Sequence, residues 1–131
     1  VIFISAKVEE ELAGLDDDEK ELFIEELGIG ESGLSKLIKE SYSLLGLISY
    51  LTAGEKEVRA WQIQRGWKGP RCAGVIHTDF EKGFIRAETI AYDDYVKFNG
   101  EQGSKDAGKM RLEGKEYRVK DGDVFHFRFN V

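Results

Sequence analysis

The residues from Ala73 to Tyr92, AGVIHTDFEKGFIRAETIAY, carry a helical pattern straight into a strand pattern with very little connecting sequence. A helix joined so tightly to a strand has to lie on the sheet that the strand enters. Further along, an Asp121-Gly122 turn leads into strict alternation, with Phe125, Phe127, Phe129 and Val131 on one face. Val124, His126, Arg128 and Asn130 fall on the other. Period-two alternation of this length predicts a strand with one buried face. The two segments together require a sheet backed by a helix.

The rest of the chain is organised around that requirement. Val1-Ile2-Phe3-Ile4 is a continuous apolar run of the kind that forms a strand buried on both faces. Such a strand needs neighbours, so it reads as the last strand of a domain whose remainder lies elsewhere. Asp16 and Glu19 have the spacing of a capping box, with Asp17 and Asp18 at the positive end of the helix dipole. Leu22, Phe23 and Leu27 give that helix an apolar side, and Gly28 is its expected stop. Ser32 precedes a second helix whose Leu34, Leu37, Ile38, Ser41, Leu44 and Leu45 form one stripe, ended by Gly46. Leu47–Ala53 and Val58–Arg65 then read as a hairpin joined by Gly54–Glu57. Gly66–Pro70 is a loop, Ala73–Lys82 a short helix and Phe84–Tyr92 a strand. Asp93–Phe98 is a helical turn and Asn99–Lys109 a Gly-rich loop. Tyr117–Val119 and Val124–Phe129 complete the sheet.

Charge divides the chain at the same place. Residues 1–45 hold 12 acidic and 4 basic side chains, a balance of −8, whereas residues 46–131 hold 13 acidic and 15 basic, a balance of +2. Neither part has the dense basic stripe of an autonomous nucleic-acid binder, and sequence-specific DNA reading is not expected. No apolar run reaches the length of a membrane span. A single cysteine, Cys72, excludes an internal disulfide framework and agrees with a reducing compartment, so a cytoplasmic setting is expected.

Several short motifs invite chemistry and lose to plainer readings. Gly28-Ile29-Gly30-Glu31-Ser32-Gly33 fits GxGxxG, but an acidic helix precedes it where a dinucleotide site needs a strand. Gly103-Ser104-Lys105-Asp106-Ala107-Gly108-Lys109-Met110 nearly fits a P-loop. Met110, however, stands where a Ser or Thr hydroxyl must reach Mg²⁺. His77 with Asp79 could imitate a base and its orienter, yet no nucleophile accompanies them. Cys72 and two distant histidines are too few for a zinc site. No catalytic residue, resident metal or resident cofactor is expected in this chain. The alternating phenylalanines suit a core better than an RNA-stacking platform. Trp67 sits in a loop with Arg65, Lys68 and Arg71, where an aromatic among cations can stack on a base. Serving simply as a loop anchor is its plainer role.

The wording HTDFEKGFIRAE…AYDDY…GKMRLEGKEY…DGDV followed by HFRFNV resembles the YchF, or Obg-like, ATPases of the P-loop GTPase superfamily. Within them it resembles the TGS domain, a ubiquitin-like β-grasp module. The ββαβ…ββ order also suits a β-grasp, a mixed sheet curling around one helix. The resemblance implies an α+β chain in two parts. Residues 1–46 are a C-terminal remnant of the P-loop nucleotide-binding domain, and residues 47–131 are the TGS domain. By the same resemblance Ser5-Ala6-Lys7 corresponds to the segment lining the nucleotide base pocket in the parent protein. ATP or GTP, with Mg²⁺, belongs to the parent and not to this part. Members of the family associate with ribosomes, which implies a non-hydrolytic module that binds the ribosome or RNA. Its expected contacts are Arg65, Trp67, Lys68, Arg71, Arg86, Lys97 and Lys109. The alternative is a structural module that packs on its own nucleotide domain and transmits nucleotide state without touching nucleic acid. Gly66–Cys72 departs from the family pattern in being bulkier and more basic than its small-residue loop.

Overall fold

Capping chemistry sets the helix boundaries in the first part of the computed structural model, which describes residues 1–130. The chain divides into two compact units, Val1–Leu45 and a second that starts at Gly46. In the first, α1 (Ala6–Ala13) starts at Ser5, whose hydroxyl accepts from the Val8 amide at 3.3 Å. Helix α2 (Asp17–Glu26) carries the expected capping box. The Glu19 amide donates to Asp16 Oδ1 at 2.9 Å, and the Asp16 amide to Glu19 Oε2 at 3.1 Å. Gly28 follows at φ +68°, the left-handed turn that glycine adopts without a Cβ penalty. Helix α3 (Gly33–Leu45) is capped by Ser32, which accepts from the Ser35 amide at 3.1 Å, and Gly46 follows it, also at φ +68°.

Two features of this unit differ from the sequence reading. Residues 1–4 form no strand, because a strand exists only through a ladder and none pairs with them among the described residues. Helix α1 was not foreseen: its inward face amounts to Val8 and Leu12, too little for a periodic signal, and Leu12 alone is buried. The α3 stripe is helical as expected, yet Leu34, Leu37, Ile38, Leu44 and Leu45 are all exposed.

The second unit is a five-stranded mixed sheet. Strands β1 (Leu47–Ala53) and β2 (Val58–Gln64) form the expected antiparallel hairpin, in register from Leu47↔Gln64 to Ala53↔Val58. Next come α4 (Gly69–Ile76), α5 (Thr78–Lys82) and β3 (Phe84–Ala91), then α6 (Tyr92–Lys97) and α7 (Glu101–Asp106). Strands β4 (Arg111–Glu113) and β5 (Asp123–Phe129) complete it. The order across the sheet is β2-β1-β5-β3-β4, with β1 and β5 parallel and every other pair antiparallel.

Cys72 and Ala73 of α4 are buried in a core with Ile48, Tyr50, Ile63, Phe84, Ala87, Val119, Phe125 and Phe127. Tyr50 is fully buried, edge-on to Phe125 and Phe127 at ring separations of 5.5 and 5.8 Å. Burying each such aromatic contributes roughly 2–3 kcal/mol. The expected single helix Ala73–Lys82 begins at Gly69 and breaks at His77, which is extended at φ −160°, ψ 142°. The His77 ring caps α5, its Nδ1 accepting from the Asp79 amide at 3.1 Å. Pro70 supplies the helical start, since its missing amide costs nothing in the first turn.

Three further expectations change. The expected Asn99–Lys109 loop contains α7, and the fourth strand is Arg111–Glu113. Tyr117–Val119 supplies only an isolated bridge, Lys68↔Arg118. Phe125 and Phe127 are core, but Phe129 is 41% exposed and stacks on Phe80 with ring centroids 4.0 Å apart. Alternation assigns a face; depth depends on what covers the strand end. Val131, expected on the same face, lies outside the described residues.

Candidate nucleic-acid interface

The connection from β2 to α4 concentrates positive charge around one aromatic ring. Gly66 turns the chain at φ +90°, and the Trp67 amide donates to the Gln64 carbonyl at 3.2 Å. The loop then runs against residues 117–119: the Gly69 amide donates to the Tyr117 carbonyl (3.1 Å) and the Val119 amide to the Trp67 carbonyl (3.0 Å). Those bonds draw in Arg118, whose Nη1 donates to the Gly66 carbonyl at 3.3 Å. Trp67 packs partly against the core, while the Arg71 guanidinium lies 4.0 Å from its ring centroid. Stacking of this kind fixes both planar groups at the surface.

The Lys68 ammonium pairs with the Glu116 carboxylate and, through that hydrogen bond, holds the carboxyl below its usual range. Among the described residues Arg65, Arg71 and Arg118 enter no ion pair, so the corner retains net positive charge. Sequence reading missed Arg118. It stands 52 positions from Gly66, and only the strand-like bridge brings the two together.

Of the seven expected contacts, Arg65, Trp67, Lys68 and Arg71 therefore share one connection. Arg86 lies on β3, opposite Arg128 of β5 in the register, on the sheet face away from the phenylalanines. Lys97 ends α6 and stands 5.4 Å from the Phe98 ring, and Lys109 follows α7. All three are exposed on elements other than the β2–α4 connection. Ser5, Ala6 and Lys7 are exposed in the first unit. Ser5 caps α1, and Ala6 and Lys7 occupy its first turn.

A concavity of about 660 Å³ opens between the β1–β2 turn and the β5 end of the sheet. Trp61, Ile76, Phe80, Phe127 and Phe129 line it. Arg59 covers the Trp61 ring at 4.0 Å, and the indole donates to Thr52 Oγ1 at 2.9 Å.

The groups most suited to nucleophilic chemistry are held inert. Burial pushes the Cys72 thiol up to about 12, so it stays protonated at neutral pH. Burial, reinforced by the hydrogen bond to Asp123, likewise raises Tyr117 to about 12. His77 and the Asp79 carboxylate, 3.6 Å apart, are both solvent-accessible. Among the described residues no nucleophile, base and oxyanion donors converge.

A family model, YchF-GTPase C-terminal, described as a protein of unknown function (DUF933), matches residues 47–130. The whole chain is 65% identical over 131 residues to a "Ribosome-binding ATPase YchF" of Bacillus subtilis, and 60% identical to one of Haemophilus influenzae. In both cases 100% of this chain aligns with 36% of the relative, so the chain spans little over a third of their length. Among solved structures it is similar to the Schizosaccharomyces pombe YchF GTPase. There the TM-score is 0.82 at 41% identity, covering 95% of this chain and 33% of that one.

Proposed function

The chain belongs to the YchF family, and from that membership we propose that its second unit is a non-hydrolytic docking module through which a translation-associated ATPase binds the ribosome. The name its relatives carry, ribosome-binding ATPase, supports the partner. The observation that carries the reading is the β2–α4 corner, where the stacked Trp67–Arg71 pair sits among Arg65, Lys68 and Arg118. Guanidinium groups outside ion pairs contact phosphate oxygens, and the exposed Arg71 plane, held on Trp67, can stack on an unpaired base, so RNA is the ribosomal component this corner fits. Arg86, Lys97 and Lys109 extend the positive surface on β3, α6 and the segment after α7.

The module is a TGS-type β-grasp in this reading, beginning at residue 47 and following a nucleotide-domain remnant over residues 1–46. The β2-β1-β5-β3-β4 order, the parallel β1–β5 pair and the burial of α4 against one sheet face support that assignment. Nucleotide and Mg²⁺ act elsewhere in the longer protein, where Ser5-Ala6-Lys7 borders the base. The setting is cytoplasmic. Among the described residues no helix is long and apolar enough to cross a membrane.

Co-sedimentation with ribosomes tests the proposal. Binding should weaken with rising salt as counterions are released, and Trp67→Ala or Arg71→Ala should reduce it at constant salt. Absence of binding by both the chain and the full-length protein at low salt refutes it. The apolar concavity lined by Trp61, Ile76, Phe80 and Phe129 favours a second reading, in which the second unit packs on its own nucleotide domain and relays nucleotide state without touching nucleic acid. In that case deleting it changes the ATPase rate while ribosome binding is unaffected.

A further inference from the structure

On the sheet face opposite the aromatic core, three ligand-type side chains from three elements converge. His126 of β5 places Nδ1 3.7 Å from Glu88 Oε2 of β3 and 3.7 Å from Glu101 Oε1 of α7. All three atoms lie within 4.8 Å of one another. We propose that Glu88, Glu101 and His126 bind one divalent cation of the zinc class, which clasps α7 to the β3–β5 pair.

Three observations carry the assignment. First, the spacing is close to that of a filled site. Ligands about 2.0–2.1 Å from a tetrahedral zinc stand roughly 3.4 Å from each other. The two imidazole–carboxylate distances are within a few tenths of an ångström of this. The carboxylate–carboxylate distance closes by rotating Glu101, which is half exposed. Second, the donor set is one imidazole nitrogen and two carboxylate oxygens, which suits a borderline cation better than Mg²⁺ or Ca²⁺ with their all-oxygen shells.

Third, the site is oriented and backed. Arg128 donates from Nε and Nη2 to the two Glu88 oxygens at 3.2 and 3.3 Å, fixing the carboxylate plane from the side. Ligating carboxylates are commonly held in this way. Glu88, Glu101 and His126 border a niche of about 10 Å³ whose other walls are mostly apolar, Ile90, Met110 and Val124 among them, so the cluster is backed by hydrophobic side chains. The two carboxylates and Arg128 together sum to −1, so a dication is electrostatically favoured. This site is independent of the ribosome-docking reading.

The probe is Zn²⁺ alone, added to the chelator-stripped chain at neutral pH and followed by titration calorimetry and by ¹⁵N spectra of the histidines. The expected result is saturable one-to-one binding in which the His126 signals shift and hold a proton on Nε2, the nitrogen left free when Nδ1 ligates. His126→Asn and Glu101→Gln should each weaken binding at least about tenfold, while His77→Asn leaves it unchanged. Glu101 is exposed on a short helix, so its variant keeps the test valid should the His126 variant fold poorly. The proposal is overturned by a lack of saturable binding in about tenfold Zn²⁺ excess. Equal affinity in the His126 and Glu101 variants, or loss of binding in the His77 variant, also overturns it.

Discussion

Tyr50 offers the sharpest energetic test of how the sheet is tied to its helix. Its ring is fully buried between β1 and α4, and its hydroxyl donates to the Cys72 carbonyl at 2.8 Å. Removing only the hydroxyl, in Tyr50→Phe, deletes that bond and leaves the aromatic packing against Phe125 and Phe127 in place. Helical geometry also aims the Ile76 amide at the same carbonyl. The oxygen is therefore not orphaned, and the cost is the net value of one hydrogen bond, about 1 kcal/mol. Tyr50→Ala removes the ring as well and opens a cavity, for about 3–5 kcal/mol. In a unit of this size 1 kcal/mol moves the melting temperature by roughly 4–8 °C. Both tryptophans, Trp61 and Trp67, pack against this core, so fluorescence-detected urea unfolding reports the second unit alone. The reasoning fails if Tyr50→Phe is as stable as the parent. It also fails if the two variants are equally destabilised, since the hydroxyl rather than the ring would then carry the effect.

Three further outcomes follow from the same packing. A Cβ added at Gly83 would collide with the Asn130 carbonyl oxygen. Gly83→Ala should therefore force the β5 end away, costing about 1–3 kcal/mol in chemical denaturation. Asp123 is 2% exposed and accepts from the Tyr117 hydroxyl (2.7 Å), the Lys120 amide (3.0 Å) and Arg111 (3.5 Å). Asp123→Asn should cost about 1–3 kcal/mol, and a spectrophotometric titration should show Tyr117 ionising at lower pH than in the parent. For Cys72 and Tyr117 the folded state keeps its protons longer than the unfolded chain, since both are raised to about 12 from 9.0 and 10.0. The stability they confer is complete below about pH 9 and drains away as pH climbs toward 12. A melting temperature that stayed flat over that interval would contradict the burial of both groups.

Much of the local structure was readable from residue order. The Asp16/Glu19 box, the Ser32 cap and the glycines at 28 and 46 mark helix ends through contacts only a few positions apart. The β1–β2 hairpin follows from two short runs and a four-residue turn. Misreadings fell where distant residues decide. His77 reads as helix interior, yet its extended backbone lets its ring cap α5. Arg111–Glu113 is too short to signal a strand, and exists because β3 offers a free edge. Tyr117–Val119 has the pattern of a strand and is diverted to brace the Trp67 loop. The same holds for the candidate contacts: Arg65, Trp67, Lys68 and Arg71 were visible as one sequence cluster, whereas Arg118 was not.

What residue order determined by itself is which face is apolar in the longer helices and strands, and where most of them begin and end, because periodicity and caps act between near neighbours. The tertiary structure alone decided that β5 lies between β1 and β3. It also decided that Phe125 and Phe127 are buried while Phe129 stays 41% exposed, and that Glu88, Glu101 and His126 meet. Those outcomes depend on which strands share hydrogen-bond ladders and which surfaces a helix covers. Both arise from contacts between residues far apart in the chain, to which no local pattern is sensitive.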